Sequence, residues 1–404
     1  MARAWVVDRW TKTEEATGKK TPTAISGKGS RWRVDWYEER DGIKRLRSKS
    51  FPNKGLAEDH KSKLEHDLRA GVYLPEEFGR KKLADVAVLW LDSKKRIKAS
   101  SRHNYARDLR MYVNPQWGSR RIGTIKKQEI EAWITALQLG TAPAAFLRDS
   151  KETGPLSPAS IERLHVVLSA SLSYAHKAGW ITSNPASGVE LPEARETPHV
   201  YLNYVEVDAL ADAALGAGGP TDRALIHTLA YTGLRINEAL ALTAADIDYP
   251  KRRAHVRETW SIDEAGKRIT GTPKMGRTRR VPLPAFLADE LQALTADHDP
   301  SAYVFQAKQG GAIHDHNWRS RVWPDAVNGA GLDELGLTPH KLRHTAASMA
   351  ISAGADVKLV QEMLGHKDAT ETLNTYGHLW PDRLDQVSDA LSQARSAALD
   401  PGSS

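Results

Sequence analysis

The stretch Asn184–His199, NPASGVELPEARETPH, decides how the chain is divided. It holds three prolines (Pro185, Pro192 and Pro198), and its apolar residues repeat neither every two nor every three to four positions. Such a segment supports neither strand nor helix and reads as a linker. A chain of 404 residues already exceeds what one hydrophobic core holds, and about 150 residues per domain suggests two or three domains. The main boundary is therefore placed here.

Upstream, residues 81–190 read as helices throughout. Leu83, Val86, Leu89 and Trp90 share one face, as do Tyr105, Leu109 and Tyr112, and then Ile130, Trp133, Ile134 and Leu137, all at spacings of three and four. Leu139–Pro155 reads as a loop, and Ser157-Pro158 opens a further helix over Ala159–Gly179. Lys94, Lys95, Arg96, Lys98 and Arg102 cluster before a helix start near Ser101, where cations and main-chain N–H groups suit a phosphate backbone.

Further upstream, residues 1–80 predict a small basic β-ribbon with one helix. Ser30–Glu38 alternates Trp32, Val34 and Trp36 with Arg31, Arg33 and Asp35. A turn at Asp41-Gly42 leads to a returning strand, Ile43–Phe51, carrying Lys44, Arg45, Arg47 and Lys49. Lys54–Ala70 then reads as a helix. Downstream of the linker, residues 191–404 read as mainly helical, with Asn203 and Glu206 as a capping box. Arg252–Pro284 is the exception, with three strand-like pieces expected to form one sheet. The fold class is multidomain α+β: a β-ribbon and helix (1–80), an all-α domain (81–190) and a mainly α domain with a small three-stranded sheet (191–404).

The net charge of +7 is unevenly placed: +5 over residues 1–80, +8 over 81–195 and −6 over 196–404. A front half this basic suits a polyanion such as DNA. The absence of cysteine excludes disulfides, thiolate nucleophiles and cysteine-bound metals. No apolar run is long enough to span a membrane, and the N-terminus turns polar before a secretory signal forms, so a cytoplasmic location is expected and no membrane partner.

The C-terminal half carries TGLRINEAL (232–240), Lys274 in TPKMGRTRRVPLP, HKLRH (340–344), LGH (364–366) and TYGH (375–378). In that order, over 142 positions from Arg235 to Tyr376, they resemble the tyrosine recombinase (phage integrase) family across residues 200–390. The resemblance implies that Arg235 and Arg343 clamp a scissile phosphate, that Lys274 sits on a β-hairpin, that His340 and His366 complete the pocket and that Tyr376 is the nucleophile. Glu238 matches the family's supporting acid. The chemistry agrees, because guanidinium forks neutralise the charge that develops on phosphate oxygens, while Lys and His can exchange protons. Lys274 is the expected acid for the departing 5′-hydroxyl, His340 the group that helps remove the Tyr376 proton, and His366 a donor to a nonbridging oxygen. His344 reads as packing. The covalent 3′-phosphotyrosine needs no cofactor, and no metal is expected.

About 80 residues precede the two domains that chromosome-dimer-resolving relatives need, and they resemble the arm-type DNA-binding domain of temperate phage and mobile-element integrases. LGHKDATETLNTYGHLWPD (364–382) resembles the actinobacterial branch. The resemblance implies core-type and arm-type DNA attachment sites, a homotetramer on DNA in the host nucleoid, an excisionase and a host DNA-bending protein. Asp382–Ala398 is an amphipathic helix that docks either on its own domain or on a neighbouring subunit. The rival readings are a type IB topoisomerase-like relaxing enzyme, a catalytically silent regulator of the same fold, and a metal-dependent transposase, whose activity EDTA would abolish.

Overall fold

The computed structural model describes residues 4–14, 18–40, 43–70, 73, 75–145, 154–193, 200–273, 276, 278–380 and 384–399. The chain forms two compact units, Met1–Ala194 and Arg195–Ser404.

In the first unit, strands β1 (Ala4–Asp8), β4 (Trp32–Arg40) and β5 (Ile43–Phe51) make an antiparallel sheet in the order β1-β4-β5. Strands β2 (Thr11–Thr13) and β3 (Lys20–Pro22) form a separate hairpin. The expected ribbon is present, but β1 makes it a three-stranded sheet with β4 in the centre, Trp36 facing Ala4 on one side and Arg47 on the other. The turn expected at Asp41-Gly42 lies outside the described residues. Helix Lys54–Ala70 backs the sheet, burying Ala57 and Leu64 against Val34 and Trp36. Arg33 folds onto Asp35 at 2.7 Å, so the carboxylate expected on an open face is 3% exposed.

A second core in the same unit gathers helices Leu83–Ser93, Ala99–Asp108, Lys127–Leu139 and Pro158–Lys177. The second of these runs on into a π-helical stretch, Leu109–Gly118, whose Trp117 meets Trp133 edge-on at 5.9 Å. Ser157 caps the last helix by accepting from the Ser160 N–H, with Pro158 at its first turn, as the sequence predicts. Each fully buried leucine on these faces, such as Leu164 or Leu168, contributes roughly 1.5–3 kcal/mol.

The second unit opens on the predicted capping box: Asn203 accepts from the Glu206 N–H at 2.9 Å, and Glu206 accepts from the Asn203 N–H at 2.8 Å. Helix Pro220–Thr232 is a central member of the core, packed against helices Tyr204–Ala217 and Pro339–Ser352. The strands expected from Arg252–Pro284 do not form one sheet. Strand β10 (Arg279–Pro282) pairs with β7 (Arg253–Val256), which pairs with the two-residue β6 (Ile247–Asp248). Strands β8 (Thr259–Ile262) and β9 (Arg268–Gly271) form a hairpin of their own. Helices Val357–Leu364, Ala369–Tyr376 and Leu384–Leu399 end the unit. No helix among the described residues is long and apolar enough to cross a membrane.

Candidate active site

Helix ends far apart in the chain bring Arg235, Arg343, His366 and Tyr376 of the predicted cluster together. Helix Pro220–Thr232 stops at Gly233, whose left-handed backbone (φ 66°) turns the chain so that Arg235 caps the short helix Ile236–Ala239. A Cβ on Gly233 would stand 2.6 Å from Leu364 Cδ2, so any other residue would both strain this left-handed backbone and displace Leu364. Arg343 lies one turn into helix Pro339–Ser352, and His366 follows Gly365, the left-handed cap of Val357–Leu364. Tyr376 ends helix Ala369–Tyr376.

Glu238 ties the arginines together. Its carboxylate, 1% exposed, accepts from the Arg235 main-chain N–H and Nη1, both at 3.0 Å, and from Arg279 Nη1 at 3.2 Å and Nη2 at 2.7 Å. Burial pushes its pKa up, but the Arg279 hydrogen bond and charge, with Arg235 behind them, outweigh burial and leave it below the ordinary value. The carboxylate is therefore charged, and it fixes two guanidinium groups. Arg279 also donates from Nε to the Met363 carbonyl at 3.0 Å. Arg279 lies in the TPKMGRTRRVPLP stretch but is not among the residues the sequence singles out. No local signal marked it, because its role depends on β10 pairing back to β7, where it faces Val256.

Arg343 is 2% exposed and donates from its two terminal nitrogens to the Gly233 and Leu364 carbonyls, both at 2.6 Å. Burial, then the neighbouring Arg235 charge, pulls its pKa down to about 9, so it keeps its proton at neutral pH. Two of its five N–H groups anchor the head to main chain and leave the fork rigid. His366 hydrogen-bonds the Thr372 hydroxyl through Nδ1 at 2.9 Å and stacks parallel to the Tyr376 ring at 6.4 Å. Burial and the Arg343 charge lower its pKa to about 4, which keeps it neutral.

Tyr376 is 1% exposed, and burial raises its pKa to about 12 against the opposing pull of Arg343. Its hydroxyl hydrogen-bonds His344 Nδ1 at 2.8 Å. The sequence assigns the phenol proton to His340 and reads His344 as packing, whereas the observed contact belongs to His344. Because the two histidines are four residues apart, they share one helix face. The exposed His340 ring stands edge-on to His344 at 5.3 Å. Lys274 lies outside the described residues. Among the described residues, no three His, Asp or Glu side chains gather as a metal cage would require.

The predicted DNA-contacting residues differ in their surroundings. Several are engaged with carboxylates or main chain: Arg31 with Asp8 at 2.8 Å, Arg33 with Asp35 at 2.7 Å and Arg47 with Glu38 at 2.7 Å. Arg102 joins them, reaching Asp92 at 2.6 Å and the Leu91 carbonyl at 2.8 Å. Lys44, Arg45, Lys94, Lys95, Arg96 and Lys98 are exposed.

Residues 201–383 match the phage integrase family, and residues 82–138 match the phage integrase N-terminal SAM-like domain. The chain is 28% identical over 312 residues to tyrosine recombinase XerC of Xanthomonas campestris pv. campestris, an alignment covering 74% of this chain and 85% of that protein. In fold it is similar to the Tn1549 transposon integrase solved with a circular intermediate DNA (TM-score 0.60, 19% identity), covering 77% of this chain and 99% of that one. It is also similar to a lambda integrase tetramer bound to a Holliday junction (TM-score 0.51, 15% identity), covering 83% and 94%.

Proposed function

The chain belongs to the phage integrase family of tyrosine recombinases and is a site-specific DNA recombinase; from that premise we propose the route by which its residues cleave and rejoin DNA. The observation that carries the route is the convergence of Arg235 with Glu238, Arg279, Arg343, His366 and a buried Tyr376 from five stretches of the chain onto one cluster. Arg235 and Arg343 hold the nonbridging oxygens of the scissile phosphate, where rigid, permanently charged donors stabilise the developing charge. Neutral His366 donates a hydrogen bond to the same oxygens, and His340 completes the pocket. Tyr376 Oη attacks phosphorus, and the 5′-oxygen leaves with a proton from Lys274, giving a 3′-phosphotyrosine that the free 5′-hydroxyl of another strand reverses. The phosphodiester energy stays in the covalent link, so the route uses neither nucleotide nor metal.

Residues 1–80 are assigned to arm-type sites, 81–190 to the core site and 191–404 to catalysis. Exposed Lys94, Lys95, Arg96 and Lys98 support the second assignment, and exposed Lys44 and Arg45 the first. A homotetramer on two duplexes, an excisionase, a host DNA-bending protein and a place on the bacterial nucleoid complete the reading. Leu391 and Leu399, exposed on the last helix, support docking of that helix on a neighbouring subunit.

Covalent trapping tests the route. Wild type and Tyr376→Phe are incubated in EDTA with nicked duplexes tiled across the DNA flanking the gene. A denaturation-resistant adduct on one fragment, formed by wild type alone, is the expected result. An adduct formed by Tyr376→Phe overturns the nucleophile assignment, and an adduct that forms only without EDTA overturns metal independence.

A further inference from the structure

We propose that His344 is the residue that takes the proton from Tyr376 during strand cleavage and returns it during rejoining. The inference rests on Tyr376 being the nucleophile and adds a catalytic residue to the site. Geometry carries it: the phenol oxygen and Nδ1 are 2.8 Å apart, within the reach a general base needs. An imidazole with its hydrogen on Nε2 accepts the O–H at Nδ1 and leaves the oxygen lone pairs to attack phosphorus.

Among the described residues, the groups near the phenol are otherwise committed. His366 has its Nδ1 on the Thr372 hydroxyl and presents its ring face, not a nitrogen, to the Tyr376 ring. Glu238, the buried carboxylate of the cluster, accepts from Arg235 and Arg279. Tyr376, with a pKa raised to about 12 by burial, holds its proton strongly enough to need a base in contact. His344 adjoins Arg343 in the chain, so the helix that holds the phosphate-binding guanidinium also holds the base in register. The exposed ring of His340 stands edge-on against His344 at 5.3 Å.

The step balances. As the bond from Oη to phosphorus forms, the P–O5′ bond breaks; the phenol proton moves to His344 Nδ1, and the departing 5′-oxygen takes a proton from the general acid. In rejoining, the 5′-hydroxyl attacks, and the protonated His344 returns its proton to Oη as the tyrosine leaves.

The test is single-turnover adduct formation by the full-length protein on the nicked duplex that traps wild type, with His344→Ala and His344→Asn beside it. Asn keeps a hydrogen-bonding oxygen near the position of Nδ1 but cannot accept a proton at neutral pH. Both variants are expected to form adduct about 10²-fold more slowly or worse, with added imidazole restoring much of the rate to His344→Ala. A wild-type rate in His344→Asn overturns the proposal, since a hydrogen bond alone would then suffice. Adduct formation faster than wild type in either variant also overturns it, because the contact would then be a restraint on the nucleophile. So does a loss in His344→Ala that imidazole leaves unchanged. If wild type itself forms no adduct on any fragment, the nucleophile assignment falls first, and with it this proposal.

Discussion

Removing the Glu238 carboxylate tests the arrangement of the whole cluster. Glu238→Ala takes four hydrogen bonds away from a group that is 1% exposed, and leaves Arg235, Arg279 and Arg343 facing one another with no buried counter-charge. Breaking a buried ion pair from one side costs about 3–5 kcal/mol, because the remaining charge stays desolvated. The assay is hydrogen exchange of the slowest amides in helix Pro220–Thr232, which open only when the catalytic unit unfolds. A loss of that size accelerates their exchange by between about 10² and several times 10³, at 1.4 kcal/mol per tenfold. A core-site duplex should recover part of the loss in the variant, because the phosphate supplies negative charge where the carboxylate did. Acceleration below about fivefold, near 1 kcal/mol, refutes the reasoning: the arginines would then be held by their main-chain contacts alone.

Gly233→Ala should destabilise the catalytic unit by roughly 2–4 kcal/mol, combining the left-handed backbone cost with the clash on Leu364, and thermal melting of the full chain reads it. His366 has a folded pKa of about 4, below its ordinary value of 6.5, so the unfolded chain binds a proton in that window that the folded chain does not. Its contribution to stability is complete above pH 6.5 and declines as pH falls toward 4, and the wild-type minus His366→Gln difference in melting temperature should follow that course. Lys95→Ala should lower the slope of log affinity against log salt on a core-site duplex by about 0.9. Arg31→Ala should leave the arm-site slope nearly unchanged, because its guanidinium is committed to Asp8; an equal drop in both refutes the distinction between engaged and exposed cations.

Much of this protein was legible one segment at a time. The cap at Asn203 with Glu206, the Ser157-Pro158 helix start, and the helix over Lys54–Ala70 all rest on residues within a few positions of one another. The short motifs holding Arg235, Arg343, His366 and Tyr376 were equally readable, because each sits in a run of a few residues. Strand β1 was missed because five residues have little periodicity of their own, and its partner, β4, lies almost thirty residues along the chain. The pieces between Arg252 and Pro284 were recognised as strands, but which strand pairs with which is not written in any one of them. Segment β9 pairs with β8, while β10 reaches back to β7.

The site shows the same division. Sequence alone determined which residue types were present for phosphoryl chemistry and the order in which they occur. Only the tertiary structure decided that Arg279, forty-one residues from Glu238, completes its clamp, and that His344, thirty-two residues from Tyr376, meets the phenol. Two histidines four residues apart look equivalent along a helix face, and what separates them is the position of another helix end. Local propensity and capping are set by neighbours in the chain, whereas the identity of a proton's partner is set by packing between elements that the chain keeps far apart.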